Sequence, residues 1–129
     1  MIVDTSAIIA ILFKEPDAQT YAGAISMADS CKISAANFLE AAIVVEVRAG
    51  TNGGRQFDAF MLRTGMVVAS VTEEHARLAR QAYLDFGKGR HPAGLNYGDC
   101  FSYALSRESG EPLLFKGSEF PKTDIVAAL

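Results

Sequence analysis

The chain opens Met1-Ile2-Val3-Asp4-Thr5-Ser6-Ala7-Ile8-Ile9-Ala10-Ile11-Leu12. This stretch constrains the fold more than any other. A short apolar pair runs straight into an acid, two hydroxyl residues and a second apolar segment of helical length. Ile2-Val3 reads as a buried strand. Thr5 or Ser6 is expected to cap the helix that follows, because a hydroxyl can accept a free N–H of the first turn. Asp4 then falls where a central strand ends and a helix begins. In open α/β sheets ligands bind at the carboxyl ends of strands. A carboxylate there serves as a cap or as a site residue.

The same grammar repeats along the chain. Pro16 is expected at the first position of a second helix with Ala18, Tyr21, Ala22 and Ile25 on its apolar face. Lys32-Ile33-Ser34 reads as a strand, and Ser34 as the cap of a helix from Ala35 to Ala49 closed by Gly50. Thr51-Asn52-Gly53-Gly54 reads as a flexible link before a helix from Arg55 to Thr64. Met66 to Val71 is an unbroken apolar run, as a fully buried parallel strand would be. Thr72 is positioned to cap a helix from Glu73 to Phe86. Gly87 to Gly94 is a basic, glycine-rich loop. Asn96 starts a helix that ends at Ser109 before Gly110. Pro112 to Phe115 is a last buried strand, and the tail from Lys116 is short and irregular, with an edge strand at Asp124-Ile125-Val126. Strands alternating with helices predict an α/β domain with a mostly parallel sheet and helices on both faces. At 129 residues, half of them hydrophobic, the chain suits one domain spanning 1–129.

Composition narrows the function. No apolar run reaches the roughly 18 residues of a membrane span, and the start lacks a signal peptide's basic region. The expectation is a soluble, cytoplasmic protein with no membrane partner. Cys31 and Cys100 have no CxxC spacing and are expected reduced and buried. The net charge of −3 provides no basic field to hold nucleic acid. That weighs against a pure binding module and leaves room for a nuclease whose acids are neutralised by metal.

Some acids do not fit their surroundings. Glu40 lies in Phe38-Leu39-Glu40-Ala41-Ala42-Ile43-Val44-Val45, a helix apolar nearly all round and so expected to be buried nearly all round. A carboxylate there needs a cation or a metal. Asp99 is third in its helix, where an acid closes a capping box with Asn96, yet that place also aims it at Asp4. Glu119 follows the last buried strand and would sit at its carboxyl end. Glu46 and Asp124 read as solvated. If Asp4, Glu40, Asp99 and Glu119 converge, oxygen-only ligands select a hard cation, Mg²⁺ or Mn²⁺. Such a pocket suits metal-assisted hydrolysis of a phosphodiester. Neither His75 nor His91 has an obvious nucleophile partner, and no HExxH, GxGxxG or Walker loop is present.

These residues carry a family resemblance. Met1-Ile2-Val3-Asp4-Thr5-Ser6-Ala7, Ile33-Ser34-Ala35-Ala36-Asn37-Phe38-Leu39-Glu40, Leu95-Asn96-Tyr97-Gly98-Asp99-Cys100 and Leu113-Leu114-Phe115-Lys116-Gly117, in that order, resemble PIN-domain ribonucleases. More narrowly, they resemble VapC-type toxins of toxin–antitoxin pairs. The resemblance implies a three-layer α/β/α fold and a Mg²⁺- or Mn²⁺-dependent endoribonuclease. It further implies a homodimer, an RNA substrate and a VapB-type antitoxin. Asp4 and Asp99 match the family's metal-holding acids, and Glu40 matches the motif's glutamate. The family usually has aspartate where this chain has Glu119. Arg48, Arg55, Lys88, Arg90 and Lys116 are candidate phosphate contacts. Two other classes stay open on the residues alone: a receiver-like or phosphatase-like domain, and a non-catalytic RNA-binding module. A phosphatase of the haloacid dehalogenase kind wants an Asp at position 6, where this chain has Ser6.

Overall fold

The computed structural model describes all 129 residues. Four short strands form one all-parallel sheet: β1 (Ile2–Val3), β2 (Lys32–Ser34), β3 (Val67–Ala69) and β4 (Leu113–Leu114), in the order β3-β2-β1-β4. Five α-helices connect them: α1 (Thr5–Leu12), α2 (Ala18–Met27), α3 (Ala35–Thr64), α4 (Glu73–Phe86) and α5 (Tyr97–Ser109). A 3₁₀ turn follows at Phe120–Lys122.

The two-residue period of the strands divides the core in two. Val3, Ile33 and Leu114 point into a cluster with Ala7, Ile8, Ile25, Val45, Phe57 and Phe60, which come from α1, α2 and α3. Ile2 and Leu113 point into the opposite cluster with Ala79, Ala82, Tyr103, Ala104 and Leu105, from α4 and α5. This is the expected layering of helix, sheet and helix. None of the helices is long and apolar enough to cross a membrane. Both cysteines are free and buried.

Several local expectations are corrected. Asp4 itself caps α1, with extended backbone and its Oδ2 accepting from the Ser6 N–H at 2.9 Å; neither Thr5 nor Ser6 does so. Pro16 lies outside α2, whose N-cap is Asp17. The residues 51–54 are helical. Gly50 adopts φ 61° and ψ −157°, which kinks the helix and lets it resume at once, so α3 runs in two arms. Gly53 is there for space: a Cβ would meet the Ala49 Cβ at 2.6 Å. The first arm of α3 buries one stripe, Asn37, Ala41 and Val45, rather than its whole circumference. β3 is an edge strand whose Val67 and Val68 are exposed. The tail pairs with the other edge one residue later than expected, where Leu113 bridges Ala127 in parallel.

Candidate active site

All four strands point the same way, so their carboxyl ends open on one rim. Asp4 leaves β1 there and is nearly fully buried. Three donors hold its carboxylate. Oδ2 accepts from the Ser6 N–H at 2.9 Å and the Ser6 hydroxyl at 2.5 Å; Oδ1 accepts from the Ser102 hydroxyl at 2.5 Å. The backbone N–H of Lys116, just past β4, donates to Ser6 Oγ at 2.9 Å. That fixes the direction of the Ser6 proton toward Asp4.

Ser34 ends β2 and caps α3 through the Ala36 N–H. Five residues into that helix, Glu40 is half-buried and lies against the first turn of α5. A Cβ on Gly98 would stand 2.0 Å from Glu40 Oε2, so the carboxylate occupies space that only glycine leaves open. Asn37, fully buried, braces the same junction. Its Nδ2 donates to the Gly98 carbonyl at 2.9 Å, and its own carbonyl accepts from Thr5 Oγ1 at 3.2 Å. Asn37 Oδ1 is buried and has no protein partner.

Asp99 forms the capping box with Asn96: the Asn96 N–H donates to Asp99 Oδ2 at 2.9 Å, and the Asp99 N–H donates to Asn96 Oδ1 at 2.8 Å. The cap reading is therefore right, and it is not the whole story. Burial pushes the Asp99 carboxyl up to about 7, against the Asn96 N–H, and the negative charges of Asp4, Glu119 and Glu40 push it further. The other three sequence-derived acids thus all act on Asp99. Glu119, half-buried, starts the 3₁₀ turn, and a Cβ on Gly117 (φ 121°) would lie 2.4 Å from its Oε2.

No salt bridge joins a lysine or arginine to any of the four acids. Three of the five candidate phosphate contacts are otherwise engaged, while Arg55 and Lys88 make no ion pair. Lys116 does not face the acids: its ammonium pairs with Glu15 and with Asp17 at 2.8 Å, which raises its pKa. The Arg48 guanidinium lies 5.2 Å from the Phe13 ring centre, and that of Arg90 lies 5.9 Å from Tyr83. As the side chains stand, no three acidic, histidine or cysteine side chains close around a single point. The arrangement offers hard oxygen donors and no internal cation. That donor set fits an ion keeping part of its water shell, as Mg²⁺ usually does.

A model of the PIN domain matches residues 1–126. Ribonuclease VapC28 of Mycobacterium tuberculosis is 52% identical over 130 residues, covering 100% of this chain and 98% of its own. Ribonuclease VapC of Mycolicibacterium smegmatis is 51% identical over 127 residues, 98% of each chain. The chain belongs to the PIN-domain family, among the VapC ribonucleases. A solved VapC structure agrees in fold. M. tuberculosis VapC20, a toxin that cleaves the sarcin–ricin loop, superposes with a TM-score of 0.78 at 20% identity, covering 97% of this chain and 95% of its own. Membership of the VapC ribonucleases removes the phosphatase-like alternative.

Sequence reasoning missed two participants. Asn37 and Ser102 are both fully buried polar residues at core positions of their helices. A polar residue at such a position is the signal that was available. Ser102 also lies one turn after Asp99, on the same helix face.

Proposed function

We propose that the chain is a Mg²⁺- or Mn²⁺-dependent endoribonuclease and the toxin of a VapBC-type pair. The observation that carries this reading is the set of Asp4, Glu40, Asp99 and Glu119. They come from four segments, lie at one end of a parallel sheet within electrostatic reach of Asp99, and have no cation paired with them. Uncompensated like charge is destabilising, and a positive ligand would relieve it without protonating an acid. Asp4 and Asp99 would hold the ion. When bound, such an ion lowers the pKa of water and offsets charge building on the phosphate. Glu40 and Glu119, at the same rim, would help to orient the attacking water.

Two partners follow. A homodimer is supported by an apolar face beside the site: Leu39, Ile43 and Val47 on α3 are 58, 54 and 81% exposed, and Tyr97 on α5 is 80% exposed. An antitoxin of VapB type is supported by the same acidic rim, where an arginine could pair bidentately with carboxylates in place of the ion.

The deciding measurement is RNA cleavage by the purified protein with Mg²⁺ or Mn²⁺ and with EDTA. Cleavage should need the metal; full cleavage in EDTA would sink the mechanism. Expression alone should arrest growth, and co-expression of a cognate antitoxin should restore it.

A further inference from the structure

A buried serine inside a helix usually returns its hydroxyl proton to the carbonyl four residues back. For Ser102 that carbonyl belongs to Gly98, which instead accepts from Asn37 Nδ2 at 2.9 Å. The Ser102 hydroxyl reaches 98 positions away in sequence, to Asp4 Oδ1 at 2.5 Å, and the residue is fully buried. One turn further on, buried Ser106 donates at 2.7 Å to the Glu111 carbonyl, outside the acidic rim. The two serines make similar bonds to very different acceptors.

An ionised carboxylate has about four lone-pair positions. In Asp4 both positions on Oδ2 are taken, by the Ser6 N–H and the Ser6 hydroxyl. One position on Oδ1 is taken by Ser102. The remaining lone pair is on Oδ1, the oxygen that Ser102 grips. Ser6 alone would leave the carboxylate plane free to rock about its Cβ–Cγ bond. A second donor on the other oxygen fixes that plane.

We propose that Ser102 is a positioning residue that aims Oδ1 of Asp4 as a single metal-ligating oxygen. This rests on the metal-dependent nuclease reading. Mg²⁺ requires near-ideal octahedral geometry, so a ligand oxygen that wanders should weaken uptake without removing any ligand.

The test compares the parent, Ser102→Ala, Ser102→Cys, and Ser106→Ala as the control for a lost buried hydroxyl. Mn²⁺ uptake is followed by loss of the free-ion electron paramagnetic resonance signal, alongside melting temperature and RNA cleavage across a Mn²⁺ series. Ser102→Ala should bind Mn²⁺ at least tenfold more weakly. Its half-maximal Mn²⁺ for cleavage should rise by the same factor, and excess Mn²⁺ should restore most of the rate. Ser106→Ala should lower the melting temperature and leave both midpoints alone. In an Asp4→Asn background, Ser102→Ala should add nothing to the binding defect. If Ser102→Ala does not fold, Ser102→Cys, close in shape and weak as a donor, gives the same comparison. A parent that takes up Mn²⁺ and cuts RNA, with Ser102 variants shifted only in melting temperature, overturns the role of Ser102. A parent that does neither overturns the nuclease reading beneath it.

Discussion

The two ends of the parallel sheet treat acids in opposite ways. At the amino end, Glu111 accepts from the Met1 amine and from Lys32 Nζ, each at 2.5 Å, and these partners lower its pKa. At the carboxyl end, Asp99 meets burial and three further acids, and its carboxyl rises to about 7. The residue chemistry is nearly the same and the surroundings are inverted. An acid with its cations alongside holds the fold together. Acids gathered without a cation are a standing strain on the fold and mark the place where a positive partner belongs.

The sharpest way to break this contrast is Asp99→Asn. As Asp99 is a proposed metal ligand, loss of its charge should lower RNA cleavage at least a thousandfold, roughly 4 kcal/mol in the barrier, in a gel assay with Mg²⁺. The same substitution should keep or raise the melting temperature, because a like charge has gone while an amide oxygen can still accept from the Asn96 N–H. A large fall in melting temperature would move Asp99 to the structural class of Glu111.

The second test is pH. In EDTA, folded Asp99 keeps its proton up to about 7, against 3.8 for the ordinary group. Between those values the folded state binds the extra proton, so this contribution to stability is full below about pH 4 and is lost as pH rises toward 7. Allowing for solvent at the open rim, the loss should be on the order of 2 kcal/mol. Denaturant melts across pH should show it in the parent and not in Asp99→Asn; Mg²⁺ should suppress it.

Glu119 comes third. Glu119→Ala should lower cleavage about tenfold, roughly 1.4 kcal/mol, with Glu119→Asp retaining much of the rate and Glu119→Gln nearer to Ala. Parent-like cleavage by the Ala variant over a range of Mg²⁺ would reduce the site to Asp4, Glu40 and Asp99. The smallest effect belongs to the other end of the sheet. Glu111→Gln should lower stability by about 1 kcal/mol, since its partners are partly exposed, and leave cleavage unchanged.

Where the acids gather was more legible in the sequence than parts of the scaffold. Asp4, Asp99 and Glu119 were legible because each stands where an apolar strand or a helix cap puts the chain at the rim. Thr72 and Asn96 start their helices and Gly110 ends one as read, since capping is local chemistry. The link at 51–54 was misread because glycine signals both freedom and close packing, and only the neighbour at Ala49 tells which. β3 was misread because an apolar run is the same on an edge as in the centre. Ser102 escaped notice because its partner is distant in sequence, and periodicity carries no information about that pairing.

The contact between Gly98 and Glu40 has a genetic consequence. Any glycine codon becomes an alanine codon by one base change. The methyl so added would meet the far end of a flexible side chain, which can swing aside, so the protein would still fold. Glu40 would then have left the rim. For a gene whose product harms its own host when unopposed, that codon is a one-step route to a silent, folded descendant. Survivors of unopposed expression are where such alleles should collect.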